Sequence, residues 1–116
     1  MTSNAVATGY APVNGLNMYY EIHGSGRPLV MLHGAFMTVG AMGSLVSGLA
    51  ESHQVIGFEA QGHRHTADID RPLTHEQLAD DVAAALAHLE IDQSDVFGYS
   101  MGGGTGLQLA IRHPKW

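Results

Sequence analysis

The sequence predicts an α/β fold: a mostly parallel sheet that begins with an antiparallel hairpin and carries helices on both faces. Three observations predict it. Short apolar runs alternate with helix-periodic segments from residue 28 onward, the pattern of strands joined by crossover helices. The run Pro28-Leu29-Val30-Met31-Leu32 is apolar throughout, as suits a strand covered on both faces. Gly98 and Gly102 stand two before and two after Ser100, the G-x-S-x-G spacing of a sharp strand-to-helix turn.

The elements follow in order. Residues 1 to 6 are expected to fray. Strands over Thr8–Pro12 and Leu16–Ile22 flank Val13-Asn14-Gly15, where Asn-Gly is a strong hairpin signal. Gly24-Ser25-Gly26 turns the chain into the apolar strand 28–32, which ends at His33-Gly34. Met42, Leu45, Val46 and Leu49 then recur at helical spacing, and Gln54–Phe58 reads as a second buried strand. A loop rich in His, Gly and Asp runs from Glu59 to Pro72. Thr74 is a good N-cap, and Gln77 three residues later completes a capping box. Leu78, Val82, Ala85, Leu86 and Leu89 mark the apolar face of a helix ending at His88 or Leu89. Asp95–Tyr99 is the strand into the serine turn, and a helix from Met101 to about Arg112 stops before Pro114.

Composition narrows the function classes. With 116 residues and 45% hydrophobic content, the chain reads as one domain spanning 1–116. A formal charge of −6, with five scattered Lys and Arg residues, argues against nucleic acid as a partner. No cysteine is present, which excludes thiol catalysis, disulfides and Cys-based zinc sites. The N-terminus has no signal-peptide pattern, and no apolar run approaches a membrane span. A cytoplasmic protein without membrane contact is therefore expected.

Chemistry is expected where His33, Glu59 and Ser100 each follow the C-terminal end of a strand, the edge at which sites gather in such sheets. A serine at the tip of a tight turn projects its hydroxyl, and glycines at −2 and +2 avoid a collision. The following helix aims its first N–H groups at the same point. Competing motifs fail. His63 and His65 lack a completing carboxylate pair or cysteine, so no metal site is expected. Leu107 breaks both a dinucleotide and a P-loop frame in the Gly-rich stretch 102–106, so no cofactor is expected. Asp80 and Asp81, as helix neighbours, point in different directions.

Three segments together carry a resemblance to a known family: Leu32-His33-Gly34-Ala35-Phe36, Phe58-Glu59-Ala60-Gln61-Gly62-His63 and Gly98-Tyr99-Ser100-Met101-Gly102-Gly103. In order and separation they resemble the N-terminal half of an α/β-hydrolase-fold enzyme. The resemblance implies that Ser100 is the nucleophile, that the Ala35 and Met101 N–H groups form an oxyanion hole, and that Phe36 lines an acyl pocket. It implies a serine hydrolase acting on a small-molecule ester or related acyl substrate. Ser100 in place of a carboxylate argues against a dehalogenase or epoxide hydrolase. Met101 followed by three glycines also resembles the cofactor-free perhydrolase or haloperoxidase branch. The second loop departs from the family pattern: Glu59 replaces an Asp, Arg64 stands where a second Gly is common, and Thr66 takes the place of a small hydroxyl residue. A positive φ at Arg64 would cost about 1 kcal/mol or more.

A serine needs a base held by a third group, and in this family the acid and the His follow the nucleophile. The 116 residues are therefore expected to form a C-terminally truncated α/β-hydrolase domain with little activity of its own. The alternative is a non-enzymatic fragment or pairing module. Strand Asp95–Tyr99 is expected at an exposed sheet edge, through which copies of the chain would self-associate.

Overall fold

The computed structural model describes residues 7–33, 43–61, 66, 74–98 and 101–113. Within them lie strands β1 (Ala7–Val13), β2 (Leu16–His23), β3 (Arg27–Leu32), β4 (His53–Phe58) and β5 (Asp95–Gly98), with helices α1 (Gly43–Leu49), α2 (His75–His88) and α3 (Met101–Arg112). The strands form one sheet in the order β1-β2-β4-β3-β5. β4, β3 and β5 run parallel, while β2 pairs antiparallel with both β1 and β4. The antiparallel part thus extends one ladder beyond the hairpin. Among the described residues β5 has a partner on one side alone, β3.

The hairpin register, Val13 opposite Leu16, leaves a two-residue turn of Asn14 (φ 52°) and Gly15 (φ 81°). Positive φ at both positions is the geometry that selects Asn-Gly. Asn14 is also tied down: its Nδ2 donates to Oδ1 of Asp81 at 3.0 Å. Asp81 is fully buried on α2, so this bond fastens the hairpin tip to the helix covering it.

The apolar run of β3 is covered on both faces. Val30 and Leu32 join Met18, Ile56 and Phe58 under α2 and α3. Leu29 and Met31 join Val55 and Val46 under α1. Alternation along the strand sends successive side chains to opposite layers, so a central strand needs an apolar residue at each position.

Both α2 boundaries fall where the sequence places them, after Thr74 and at His88, but the motif that closes the C-terminal end leaves no sequence signal. Thr74 caps the helix, its Oγ1 accepting from the Gln77 N–H at 3.0 Å. The expected reciprocal half of the capping box is replaced: Gln77 Nε2 turns along the helix to Asp81 Oδ1 at 3.3 Å. At the other end, Glu90 N–H donates to Ala87 O and Ile91 N–H to Leu86 O. That pair of bonds is a Schellman motif, and Glu90 occupies its left-handed position at φ 59°. Glycine normally fills this position because a Cβ is strained there.

None of the helices in the described residues is long and apolar enough to cross a membrane. Replacing Glu90 with Gly is expected to raise stability by about 1 kcal/mol, read as a higher urea midpoint with an unchanged slope.

Candidate active site

Three strand ends converge on one edge of the sheet. At the first, Leu32 ends β3 and His33 follows, 3% exposed. The backbone N–H of Ala60 donates to His33 Nε2 at 3.0 Å. A backbone N–H can only donate, so Nε2 carries the lone pair and the proton of the neutral ring sits on Nδ1.

The second strand end, after Phe58, explains why the hydroxyl of Thr66 matters. Glu59 N–H donates to the Tyr19 carbonyl at 3.0 Å, continuing the β2–β4 ladder by one rung. The return bond of that rung is not direct. Tyr19 N–H donates instead to Thr66 Oγ1 at 2.9 Å, and the hydroxyl donates onward to the Glu59 carbonyl at 2.7 Å. Thr66 therefore stands as a wedge in the ladder. It satisfies both backbone groups at the point where β4 leaves the sheet. Thr66 and Glu59 are each 1% exposed and Gln61 2%, so this loop start is polar yet buried.

The same face of β2 carries a polar row. Tyr19 Oη donates to Glu21 Oε2 at 2.7 Å, and His23 Nε2 lies 2.9 Å from Glu21 Oε1. Burial, then the hydrogen bond to Glu21 and the negative charges of Glu21 and Glu59, push the Tyr19 phenol well above its ordinary range.

The third strand end carries the serine turn. A Cβ on Gly98 would stand 2.7 Å from the Gly103 nitrogen and nearer still to the Gly102 carbonyl. A Cβ on Gly102 would stand 2.8 Å from the His33 oxygen and nearer still to the Leu32 carbonyl. Both flanking positions thus require glycine for lack of space, the reason the spacing predicts. Met101 opens α3, which points its N-terminal end back at this edge. Ser100, Ala35 and Phe36 lie outside the described residues, as do Tyr99, His63, Arg64 and His65, and so does the side chain of Met101.

Beside the turn lies a small, partly open, mainly apolar cavity of about 20 Å³, room for about one water. Leu32, His33, Phe58, Ala60, Gly102 and Thr105 are among its lining residues, which places it at the same strand ends. Thr105 and Gly104 carry a contact that the sequence pattern does not reveal. A Cβ on Gly104 would meet the His75 ring at 2.6 Å, so this glycine lets the first turn of α2 close against α3. The i, i+4 apolar pattern of α2 carries no trace of it.

His113, the histidine that follows Ser100 in this sequence, is engaged elsewhere. It closes α3 with its N–H on the Leu109 carbonyl, and its Nε2 lies 2.8 Å from Asp80 Oδ1. Arg112 grips the same carboxylate through Nε and Nη2 at 2.9 and 2.8 Å. The Arg112 hydrogen bonds, aided by His113, hold Asp80 below the usual carboxylate range. Asp81 points the other way, into the hairpin contact, so the adjacent carboxylates share no site.

Residues 27–115 match the α/β hydrolase fold family. The chain belongs to that family. It is 36% identical to 2-hydroxymuconate semialdehyde hydrolase of Pseudomonas sp. (strain CF600) over 96 residues, covering 79% of this chain and 34% of that protein. It is 33% identical to soluble epoxide hydrolase of Corynebacterium sp. (strain C12) over 103 residues, covering 86% of this chain and 35% of that protein. Among solved structures, the enol-lactonase of Burkholderia xenovorans LB400 superposes with a TM-score of 0.86 at 32% identity, over 91% of this chain and 42% of that one. The chain thus spans from about a third to two fifths of the length of these relatives.

Two outcomes follow for this α/β hydrolase-fold chain. Gly102→Ala must displace the Leu32 carbonyl, and it is expected to lower stability by about 1–3 kcal/mol in denaturant unfolding. The Tyr19 phenol has its pKa raised by folding, so its contribution is present in full below pH of about 10. It is lost as pH rises from there through the raised value. Wild-type stability is therefore expected to fall more steeply above pH 10 than that of Tyr19→Phe, measured by urea unfolding across the alkaline range.

Proposed function

We propose that this chain carries the nucleophile and oxyanion hole of a serine hydrolase acting on an ester or related acyl substrate. Ser100 attacks the carbonyl carbon, the oxygen becomes an oxyanion, and the N–H groups of Ala35 and Met101 stabilise it. Backbone donors suit this task because they are fixed and need no reorganisation as charge develops. Phe36 contributes to the acyl pocket. The observation that carries the reading is the double glycine constraint around the serine, with Gly98 and Gly102 packed too closely for any side chain. A merely Gly-rich connection has no need of both.

Membership in the family, and likeness to an enol-lactonase, support an acyl substrate; an enol lactone is itself an ester. The epoxide hydrolase likeness supports the fold rather than that chemistry, since a serine rather than a carboxylate occupies the turn. Activation of Ser100 needs a base held by a third group. His113 follows Ser100 in sequence but sits at the far end of α3, roughly 18 Å along the helix, and is held by Asp80. His113 is therefore not taken as the base, and the 116 residues by themselves are proposed to be a weak catalyst.

The test is covalent. A fluorophosphonate is expected to label the chain slowly, at Ser100 by peptide mass mapping, with labelling abolished in Ser100→Ala. Hydrolysis of p-nitrophenyl acetate is expected to stay near background. Labelling that survives Ser100→Ala would overturn the nucleophile assignment, while rapid stoichiometric labelling would show that these residues already supply a base. The cofactor-free perhydrolase reading uses the same serine, with Met101 and the three glycines after it as its support. Turnover that depends on hydrogen peroxide separates it.

A further inference from the structure

The two groups that Thr66 and His33 hold belong to one and the same peptide unit. The carbonyl of Glu59 accepts from Thr66 Oγ1 at 2.7 Å, and the N–H of Ala60, on the other side of that amide, donates to His33 Nε2 at 3.0 Å. Upstream, Thr66 Oγ1 accepts from Tyr19 N–H at 2.9 Å. All the donors point the same way: from the β2 backbone to the hydroxyl, from the hydroxyl to the amide oxygen, from the amide N–H to the imidazole. Hydrogen bonds aligned head to tail polarise one another. A hydroxyl donating to an amide oxygen strengthens the N–H of that amide as a donor. His33, Glu59 and Thr66 are each nearly fully buried.

We propose that Thr66 is a positioning residue of the candidate active site. Its hydroxyl sets the 59–60 peptide, and that peptide in turn fixes the imidazole of His33 as the Nδ1–H tautomer. His33 immediately precedes Gly34-Ala35 in sequence, so the relay bears on the turn to which the oxyanion-hole N–H of Ala35 is assigned. That last link rests on the function proposed above; the assignment of Thr66 to His33 does not. The chemistry of the position is specific. It must accept from one backbone N–H and donate to one carbonyl at the same time, which a hydroxyl does and a carboxylate cannot. Valine has the shape of threonine but neither capacity. Serine keeps both.

Nitrogen-15 NMR of the full chain tests the relay directly. In the wild type and in Thr66→Ser, His33 Nε2 is expected to resonate as an unprotonated nitrogen and to show a coupling to the Ala60 amide across the hydrogen bond. In Thr66→Val the coupling is expected to vanish and His33 to sample both tautomers. Fluorophosphonate labelling of Ser100 is expected to slow about tenfold in Thr66→Val, less than direct removal of an oxyanion donor would cause, and to recover in Thr66→Ser. A folded Thr66→Val with unchanged His33 signals and labelling overturns the proposal. A protonated Nε2 or an absent coupling in the wild type overturns it too, even if Thr66→Val does not fold. Should wild-type Ser100 not label at all, the proposed function fails, and the His33 tautomer comparison still decides the role of Thr66.

Discussion

The C-terminal end of β3 is the point on which the rest of the molecule leans. Its Leu32 carbonyl lies so close to Gly102 that a single methyl cannot be inserted. The next residue, His33, accepts a bond from the start of the loop after β4. One strand end therefore touches the first turn of α3 on one side and the Glu59 loop on the other. β3 can serve this way because it is held on both faces and both edges: α1 below, α2 and α3 above, β4 and β5 beside it. A strand so confined has no soft direction in which to yield, and close packing passes its position on to whatever abuts it.

Tight packing explains position but not the polarity of this edge. Glu59, Gln61, Thr66, His33 and Thr105 are all buried, and His33 and Thr105 line one cavity with the apolar Leu32, Phe58 and Leu78. Each such group would destabilise the fold if left without a partner, by about 1–3 kcal/mol. The Thr66 wedge shows how the cost is met: one hydroxyl serves two backbone groups that the diverging strands can no longer offer each other. Ala60, in the same loop start, lines the small cavity beside the serine turn.

How much of this the sequence discloses depends on the range of the contact involved. Short apolar runs disclose β3 and β4, because a strand covered on both faces needs an apolar residue at nearly each position. Asn14-Gly15 discloses its turn, since left-handed φ values at two successive residues strongly favour those types. The glycines at 98 and 102 disclose a collision even though Ser100 lies outside the described residues. The apolar periodicity discloses where α2 ends, but not the Schellman motif there, because Glu90 carries none of the glycine signal that the geometry favours. Nor are the bond from Ala60 to His33, the His75 ring over Gly104 or the Asn14–Asp81 clasp. Each joins residues at least 27 positions apart, and no local pattern encodes such a pairing. Thr66 lies between these cases. Its small hydroxyl stands out beside the family pattern, but the peptide unit it holds is visible only in three dimensions.

The two ends of the sheet are secured by different physics. At the N-terminal ends of the parallel strands, Arg27 and Asp95 form a two-pronged pair at 2.7 and 3.0 Å. Both side chains are exposed, 70% and 47%, so water and salt screen the attraction and the pair adds little rigidity. At the C-terminal ends the fastening is buried, neutral and backbone-based. Water cannot compete for those bonds, and losing one leaves a desolvated group behind. Among the described residues, buried fastening of this kind lies at the strand ends that precede Ala35 and Ser100 in sequence. A reaction that relies on fixed N–H donors requires such an edge, because a donor that must first be oriented gives back the advantage of preorganisation. Under the proposed function, the buried bonds at this edge are the frame on which such donors would be held.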